Sequence, residues 1–389
     1  MKIVLVIGTR PEAIKMAPVV KALEAAPWAR THVLLTGQHA ALLESALSDF
    51  GLHGDANLQL MSAGQTLSQL TGRAFLQLEG ALKDAAPDLV LAQGDTTTVM
   101  ATAVTCFYMG VRFGHVEAGL RTGDLRSPFP EEFNRVIAGK LSDFHFAPTK
   151  SSVDALLKEG VAEDTIHLTG NTVIDALASA VGRADPGKFR PAPGRRLILL
   201  TTHRRENFGE PLRGVLRTLR RVVETTPDLE MLFPAHPNPA VTAATQAELE
   251  GAERVRVIEP LAYFDFVGAM LAADVIVTDS GGVQEEAPFL RKPVLVTRNE
   301  TERPDAVDYG VAKLVGPDPV ALETNLRAVL EQRPVREFMA RGVSPYGDGR
   351  AADRIVQVIG HAFGHVSGGL PEPFRPESEP PPPAAVARP

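Results

Sequence analysis

Along the first half of the chain, unbroken apolar runs of four to six residues alternate with longer stretches whose apolar positions recur at helical spacing. "KIVLVIG" (2–8), "HVLLTG" (32–37), "DLVLAQG" (88–94), "RFGHVEA" (112–118) and "FHFAPT" (144–149) read as buried strands, most ending in glycine or a polar turn. Residues 11–26, 66–86 and 96–109 read as helices between them. This alternation predicts βαβ units and a parallel sheet. Ligands gather beyond the carboxyl ends of such strands, where Gly8-Thr9-Arg10, Gly94-Asp95-Thr96, Glu117 and Gly170-Asn171-Thr172 stand.

"GRADPGKFRPAPGRR" (182–196) interrupts the rhythm and, rich in Gly, Pro and charge, reads as a linker. Alternation restarts with "RLILLTTH" (196–203), "EMLFPAH" (230–236), "RVRVIEP" (254–260), "DVIVTDS" (274–280) and "KPVLVT" (292–297). The expected architecture is α/β: two Rossmann-like, doubly wound domains with an interdomain cleft, spanning 1–182 and 196–366 and joined by a linker at 183–195. A last helical pattern near 350–364 is placed to pack back on the first domain. The proline-rich tail, 367–389, holds few core-forming residues and is expected to be disordered.

A chain of 389 residues accommodates two such domains. The formal net charge of −7 speaks against a sequence-independent grip on nucleic acid, which calls for a basic domain. The single cysteine, Cys106, excludes an intrachain disulfide framework and a cysteine-cluster metal site; within its apolar run it reads as a buried thiol. The N-terminal apolar run is too short for a signal-peptide core, and no run approaches a membrane span. The expectation is a cytoplasmic protein without a membrane partner. No spacing of His, Cys, Asp and Glu resembles a metal site, and the G-x-G-x-x-G, P-loop and G-x-S-x-G patterns are absent.

The local motifs each carry two readings. "GTRPEAIK" (8–15) places Arg10 just upstream of a helix start opened by Pro11: an anion site, or a plain strand-to-helix turn. Asp95 in "QGDTTT" is a catalytic carboxylate or an N-cap. "THRRENFG" (202–209) puts His203, Arg204 and Arg205 at a strand end, suited to a phosphate-rich ligand or a salt-bridged loop. His236, between prolines in "PAHPNP", is a ligand contact or a structural histidine. "TDSGGVQEEAP" (278–288) runs from a strand through Ser280-Gly281-Gly282 into a helix, so backbone N–H groups can meet a phosphate while Glu285 or Glu286, one turn in, accepts from ribose hydroxyls; the alternative is a glycine turn with helix-dipole glutamates. Finally, "HVEAGLRTGDLRSPFPEEFNR" (115–135) crowds Glu117, Asp124, Glu131, Glu132, Arg121, Arg126 and Arg135 around one bend broken by Gly and Pro.

Taken in order, "GTRPEAIKMAPV", "GDTTT", "GHVEAGLRTGD", "PFPEEFNR", "TGNTVIDA", "THRREN", "TDSGGVQEEAP", "TERPDAV" and "PYGDG" resemble the non-hydrolysing UDP-N-acetylglucosamine 2-epimerases over roughly residues 2–360. The resemblance implies a GT-B-type fold with the nucleotide held mainly by the second domain, a homodimer, and neither metal nor nicotinamide cofactor. It implies conversion of UDP-GlcNAc to UDP-ManNAc, a precursor of cell-surface polysaccharides, by elimination to 2-acetamidoglucal and UDP followed by re-addition. On the matching positions it implies Asp95, Glu117 and Glu131 as the acid/base set, Arg135 as their support and His203 at the leaving phosphate. Arg10, Lys15, Ser280, Gly281, Gly282, Glu286 and Arg303 match UDP-binding positions, with His236 and Phe266 near phosphate and base. Gln38, His39 and Gln65 match the site at which some members bind a second UDP-GlcNAc as activator, although Ala40-Ala41 and Gly64 depart from the pattern around it. Kept beside this reading are a hydrolysing epimerase releasing ManNAc and UDP, an epimerase of a modified UDP-sugar, a GT-B glycosyltransferase and a non-enzymatic nucleotide sensor.

Overall fold

Seven parallel strands make the first sheet: β1 (Lys2–Ile7), β2 (Arg30–Leu35), β3 (Ala56–Asn57), β4 (Leu89–Gln93), β5 (Arg112–Val116), β6 (Phe144–Ala147) and β7 (Ile166–Leu168). Six more make the second: β8 (Arg196–Thr201), β9 (Leu229–Pro234), β10 (Val255–Ile258), β11 (Val275–Thr278), β12 (Val294–Val296) and β13 (Ala312–Leu314). This computed structural model describes residues 1–37, 40–62, 64–204 and 207–376. The chain divides into a first unit, Met1–Ala176 with Tyr346–Arg375, and a second built on Leu177–Pro345.

The central strands are mostly apolar because helices cover both sheet faces. β4 is buried along its whole length, and β1 from Ile3 onward. Helix starts are written into the sequence. Thr9 and Glu12 close a capping box on the helix Arg10–Glu24, and Thr66 and Gln69 close another on Leu67–Ala85. Gly110, in the left-handed region, ends Thr97–Met109. In the second unit, the helix Glu210–Thr225 buries Leu212, Val215, Leu216, Leu219, Val222 and Val223 along one stripe, against a core that includes Ile198, Met231 and Val277.

Strand order positions the sites. The first sheet runs β3-β2-β1-β4-β5-β6-β7, so the direction of winding reverses between β1 and β4. The second runs β10-β9-β8-β11-β12-β13 and reverses between β8 and β11. Each reversal opens a crevice at the carboxyl ends of its two strands. Arg10 and Asp95 follow β1 and β4; His203 and Ser280 follow β8 and β11.

Two stretches differ from the sequence expectation. The segment read as a linker contains a short 3-10 turn, Pro186–Phe189, capped by Asp185. Phe189 is buried beneath the helix Tyr263–Ala272, at Gly268, where a Cβ would lie 2.9 Å from the Asp185 carbonyl oxygen. The beginning of the tail is also packed. Phe374 is 2% exposed and its N–H donates to the Leu168 carbonyl at 2.9 Å, on the edge strand β7. A sheet edge has free carbonyls and one aromatic ring suffices to anchor a strap there, which composition averaged over the tail conceals. Residues 377–389 lie outside the described residues.

Candidate active site

In the first unit, Glu117 follows β5 with its backbone in the left-handed region, φ +65°. A glutamate adopts this conformation only where its surroundings fix it. The side chain, 7% exposed, receives three donors on one oxygen: Lys15 Nζ at 2.5 Å, Gln93 Nε2 at 3.0 Å and Asn171 Nδ2 at 3.1 Å from Oε2. Lys15, matched to a UDP-binding position, is thus placed on the catalytic candidate.

Asp95 stands one strand away, beyond β4. Arg135 binds its Oδ2 through Nε at 3.0 Å and NH2 at 2.6 Å. Arg135 NH1 also donates to Glu132 at 3.0 Å. Glu132, 1% exposed, uses its other oxygen to accept from the N–H groups of Thr122 and Gly123 at 3.0 and 2.9 Å. One carboxylate therefore ties the bend to the arginine that faces Asp95. Glu131 is the first residue of the helix Glu131–Leu141 and is half-buried. The bend between them includes two cis peptide bonds, Ser127-Pro128 and Phe129-Pro130.

Arg10 is the first residue of its helix and half-buried. Behind it, Glu12 accepts from Gly8 and Thr9 N–H and from Thr96 Oγ1, joining the β1 and β4 ends. Burial pushes the Glu12 carboxyl up to about 7, against those hydrogen bonds. His115 is pushed down to about 4 by burial; its Nε2 meets the Gly94 carbonyl at 2.7 Å, so the ring is a neutral donor in the wall.

In the second unit Asp279, fully buried, organises the β8 end. It accepts from Thr202 Oγ1 at 2.8 Å, His203 N–H at 3.0 Å, Arg204 N–H at 3.1 Å and Asn207 Nδ2 at 3.2 Å. His203 itself is exposed at this rim; desolvation lowers its pKa while Asp279 opposes, and Arg204 and His236 add to the lowering. His236 is exposed after β9, its Nδ1 accepting from Asn238 N–H at 3.2 Å.

Ser280 precedes the helix Gly281–Phe289, whose first turn bears Gly281 and Gly282. A Cβ on Gly281 would lie 2.5 Å from Arg303 NH1, so only glycine lets that guanidinium in. Arg303 binds Glu285 Oε1 at 2.6 Å and also pairs with Glu302. Burial would raise the Glu302 carboxyl; Arg303, Arg298 and Arg204 outweigh it and hold it well below the usual range. Glu286, 5% exposed, accepts from Tyr263 Oη at 2.7 Å, which ties it to the helix carrying half-buried Phe266.

The candidates thus fall into two groups, one at each winding reversal. Of the activator positions, Gln65 is engaged within its own turn by Ser62 and Met61, and Gln38 and His39 lie outside the described residues. Reading the sequence passed over Gln93 and Tyr263 and gave Asn171 and Glu132 no role. Asn171 sat in a quoted motif, and Glu132 lies three residues before Arg135, the spacing of a helical ion pair. Among the described residues, no group of three or more His, Cys, Asp and Glu could hold a metal ion.

Two doubly wound units with arginine- and carboxylate-lined strand ends make this an α/β protein of GT-B type. The family profile described as UDP-N-acetylglucosamine 2-epimerase matches residues 21–360. The chain is 43% identical over 366 residues to the UDP-N-acetylglucosamine 2-epimerase of Bacillus subtilis, covering 94% of this chain and 96% of that one. Among solved structures, the UDP-GlcNAc 2-epimerase from Neisseria meningitidis bound to UDP-GlcNAc superposes with a TM-score of 0.88 at 40% identity, covering 92% and 99% of the two chains. The S. aureus MnaA-UDP co-structure gives 0.88 at 39%, covering 96% and 100%. The chain belongs to the UDP-N-acetylglucosamine 2-epimerase family.

Proposed function

We propose that this protein interconverts UDP-GlcNAc and UDP-ManNAc by inverting C2 of the sugar. The observation that carries the reading is the pairing of Glu117 and Asp95 with Lys15 and Arg135 at adjacent strand ends. The C2 proton has no carbonyl beside it, so a direct carbanion is too costly. Breaking the C1–O bond, with its electron pair leaving on UDP, gives C1 oxocarbenium character and makes that proton removable. A carboxylate takes it, leaving 2-acetamidoglucal and UDP. Re-addition of the UDP oxygen to C1, with a proton delivered to C2 from the opposite face, completes the inversion.

Such a path needs carboxyl groups serving two faces and cations around the departing diphosphate. Asp95, Glu117 and Glu131 are assigned to proton transfer. Lys15 and Arg135 pair with Glu117 and Asp95. Ser280, Gly281, Gly282 and Arg303 are assigned to the diphosphate through helix N–H groups and charge, Glu286 to ribose, His203 to the leaving phosphate, and Arg10, His236 and Phe266 to the remainder of UDP. No metal or redox cofactor enters these steps. The family is of the non-hydrolysing type, which supports UDP-ManNAc rather than free ManNAc as product. A nucleotide sugar as substrate fits a cytoplasmic enzyme.

The protein is further assigned as a homodimer. Leu76, Phe107 and Tyr108 are 75%, 62% and 79% exposed on two helices that pack together, apolar side chains that a second copy would cover.

Incubating the protein with UDP-GlcNAc and resolving products by chromatography tests the activity. UDP-ManNAc in equilibrium with substrate is expected. Stoichiometric free ManNAc and UDP would reassign the reaction as hydrolysis.

A further inference from the structure

We propose that Asn171 is a positioning residue for the Glu117 carboxylate, held in place by the returning C-terminal segment, so that "TGNTVIDA" and "PYGDG" form a single clamp; this rests on the epimerase reading above. Neither motif was given a role by the reaction. Asn171 is 1% exposed and lies between β7 and the helix Thr172–Val181. Its Oδ1 accepts from Val173 N–H at 3.1 Å, which turns its NH2 toward Glu117 Oε2.

The backbone of Asn171 is fixed from the other end of the chain. Its N–H donates to the Tyr346 carbonyl at 2.6 Å, and Tyr346 is fully buried. Close approach is enforced by glycine on both sides. A Cβ on Gly170, φ +84°, would lie 3.3 Å from Gly347 Cα, and one on Gly347 would lie 3.1 Å from Ile174 and 3.3 Å from the Asn171 carbonyl. Asp175 accepts from Ala351 and Ala352 N–H at 3.1 and 2.8 Å, capping the helix Ala351–Ala362 from outside. Arg354 donates to the Thr169 carbonyl at 3.0 Å while paired with Asp348. Residues 169–175 are thus stitched to 346–354, and the stitched element presents one amide to the catalytic carboxylate.

The consequence is electrostatic as well as steric. Donors to an ionised carboxylate favour its charged form and fix its rotation. The charged group on Glu117 from the helix Arg10–Glu24 is Lys15; Gln93 from β4 and Asn171 from the clamp are neutral. The other carboxyls at neighbouring strand ends are Asp95, bound to Arg135, and Glu12, bound at Gly8, Thr9 and Thr96.

Asn171→Asp keeps the size and the oxygen that caps Val173 but replaces the amide by a like charge. Asn171→Ser keeps a capping oxygen without charge and cannot reach Glu117. Both are expected to lower kcat roughly 10- to 100-fold, the scale of a lost hydrogen bond to a charged group, with KM and UDP affinity little changed. Both should move the acid limb of the kcat–pH profile to higher pH, more so in Asn171→Asp, where two carboxylates adjoin. A merely structural role would lower the melting temperature and leave the limb in place. Either folded variant with kcat within twofold of wild type, or with an unmoved acid limb, overturns the proposal. A wild-type protein without epimerase activity in the same assay strikes the reading beneath it instead.

Discussion

The two glutamates at 131 and 132 show what side-chain identity alone leaves undecided. Both fit the pattern of a charged bend, and the resemblance points to Glu131 as catalytic. The structure gives Glu132 a different task, joining Arg135 to the Thr122 and Gly123 N–H groups from a buried position. In Glu132→Gln an NH2 must face either the arginine or those backbone donors. The expected result is kcat reduced by an order of magnitude or more and about 3 kcal/mol lost from the first unit, with faster amide exchange over 121–130 and UDP binding intact. Wild-type kinetics would show that Arg135 needs no such support. The carboxylate-and-arginine character of the site was legible in residues 115–135. The partnership of Glu117 with Gln93 and Asn171 was not, because it joins residues 24 and 54 positions apart that only the sheet brings together.

Strands and helices were legible wherever burial imposed a pattern. The runs at 2–8, 88–94 and 112–118 became β1, β4 and β5, and Pro11 marked the start of the helix Arg10–Glu24. β3, β7 and β13 span only two or three residues, too short to show any period. The same limit hid the packing of the tail. A proline-rich average describes residues 368–389, yet Phe374 anchors the strap to Leu168, and Arg354 lies over its ring, 5.9 Å from the centroid, while donating to the Glu372 carbonyl. Phe374→Ala is expected to cost about 3 kcal/mol, or roughly 6–12 °C in the melting of a unit of this size. An unchanged melting temperature would return the strap to the status of a passive segment.

For the whole molecule, composition narrowed more than it assigned: a net charge of −7 spoke against a sequence-independent grip on nucleic acid, and a single cysteine excluded a cysteine-cluster metal site. Among the described residues no helix is long and apolar enough to cross a membrane. What it could not show is self-association, which depends on where Leu76, Phe107 and Tyr108 emerge. A stable interface needs about 800 Å² from each partner. If this face supplies it, Tyr108→Glu should shift the protein from dimer to monomer in light scattering. A dimer that persists unchanged would place the interface elsewhere. The central claim, that carboxylates of the first unit exchange the C2 proton while UDP departs and returns, is tested most directly by NMR of the protein with UDP-GlcNAc in D2O. Deuterium should appear at C2 of both epimers with UDP still attached, and Glu117→Gln should suppress that exchange while still binding UDP. Epimerisation without deuterium incorporation, or full exchange in Glu117→Gln, would contradict it.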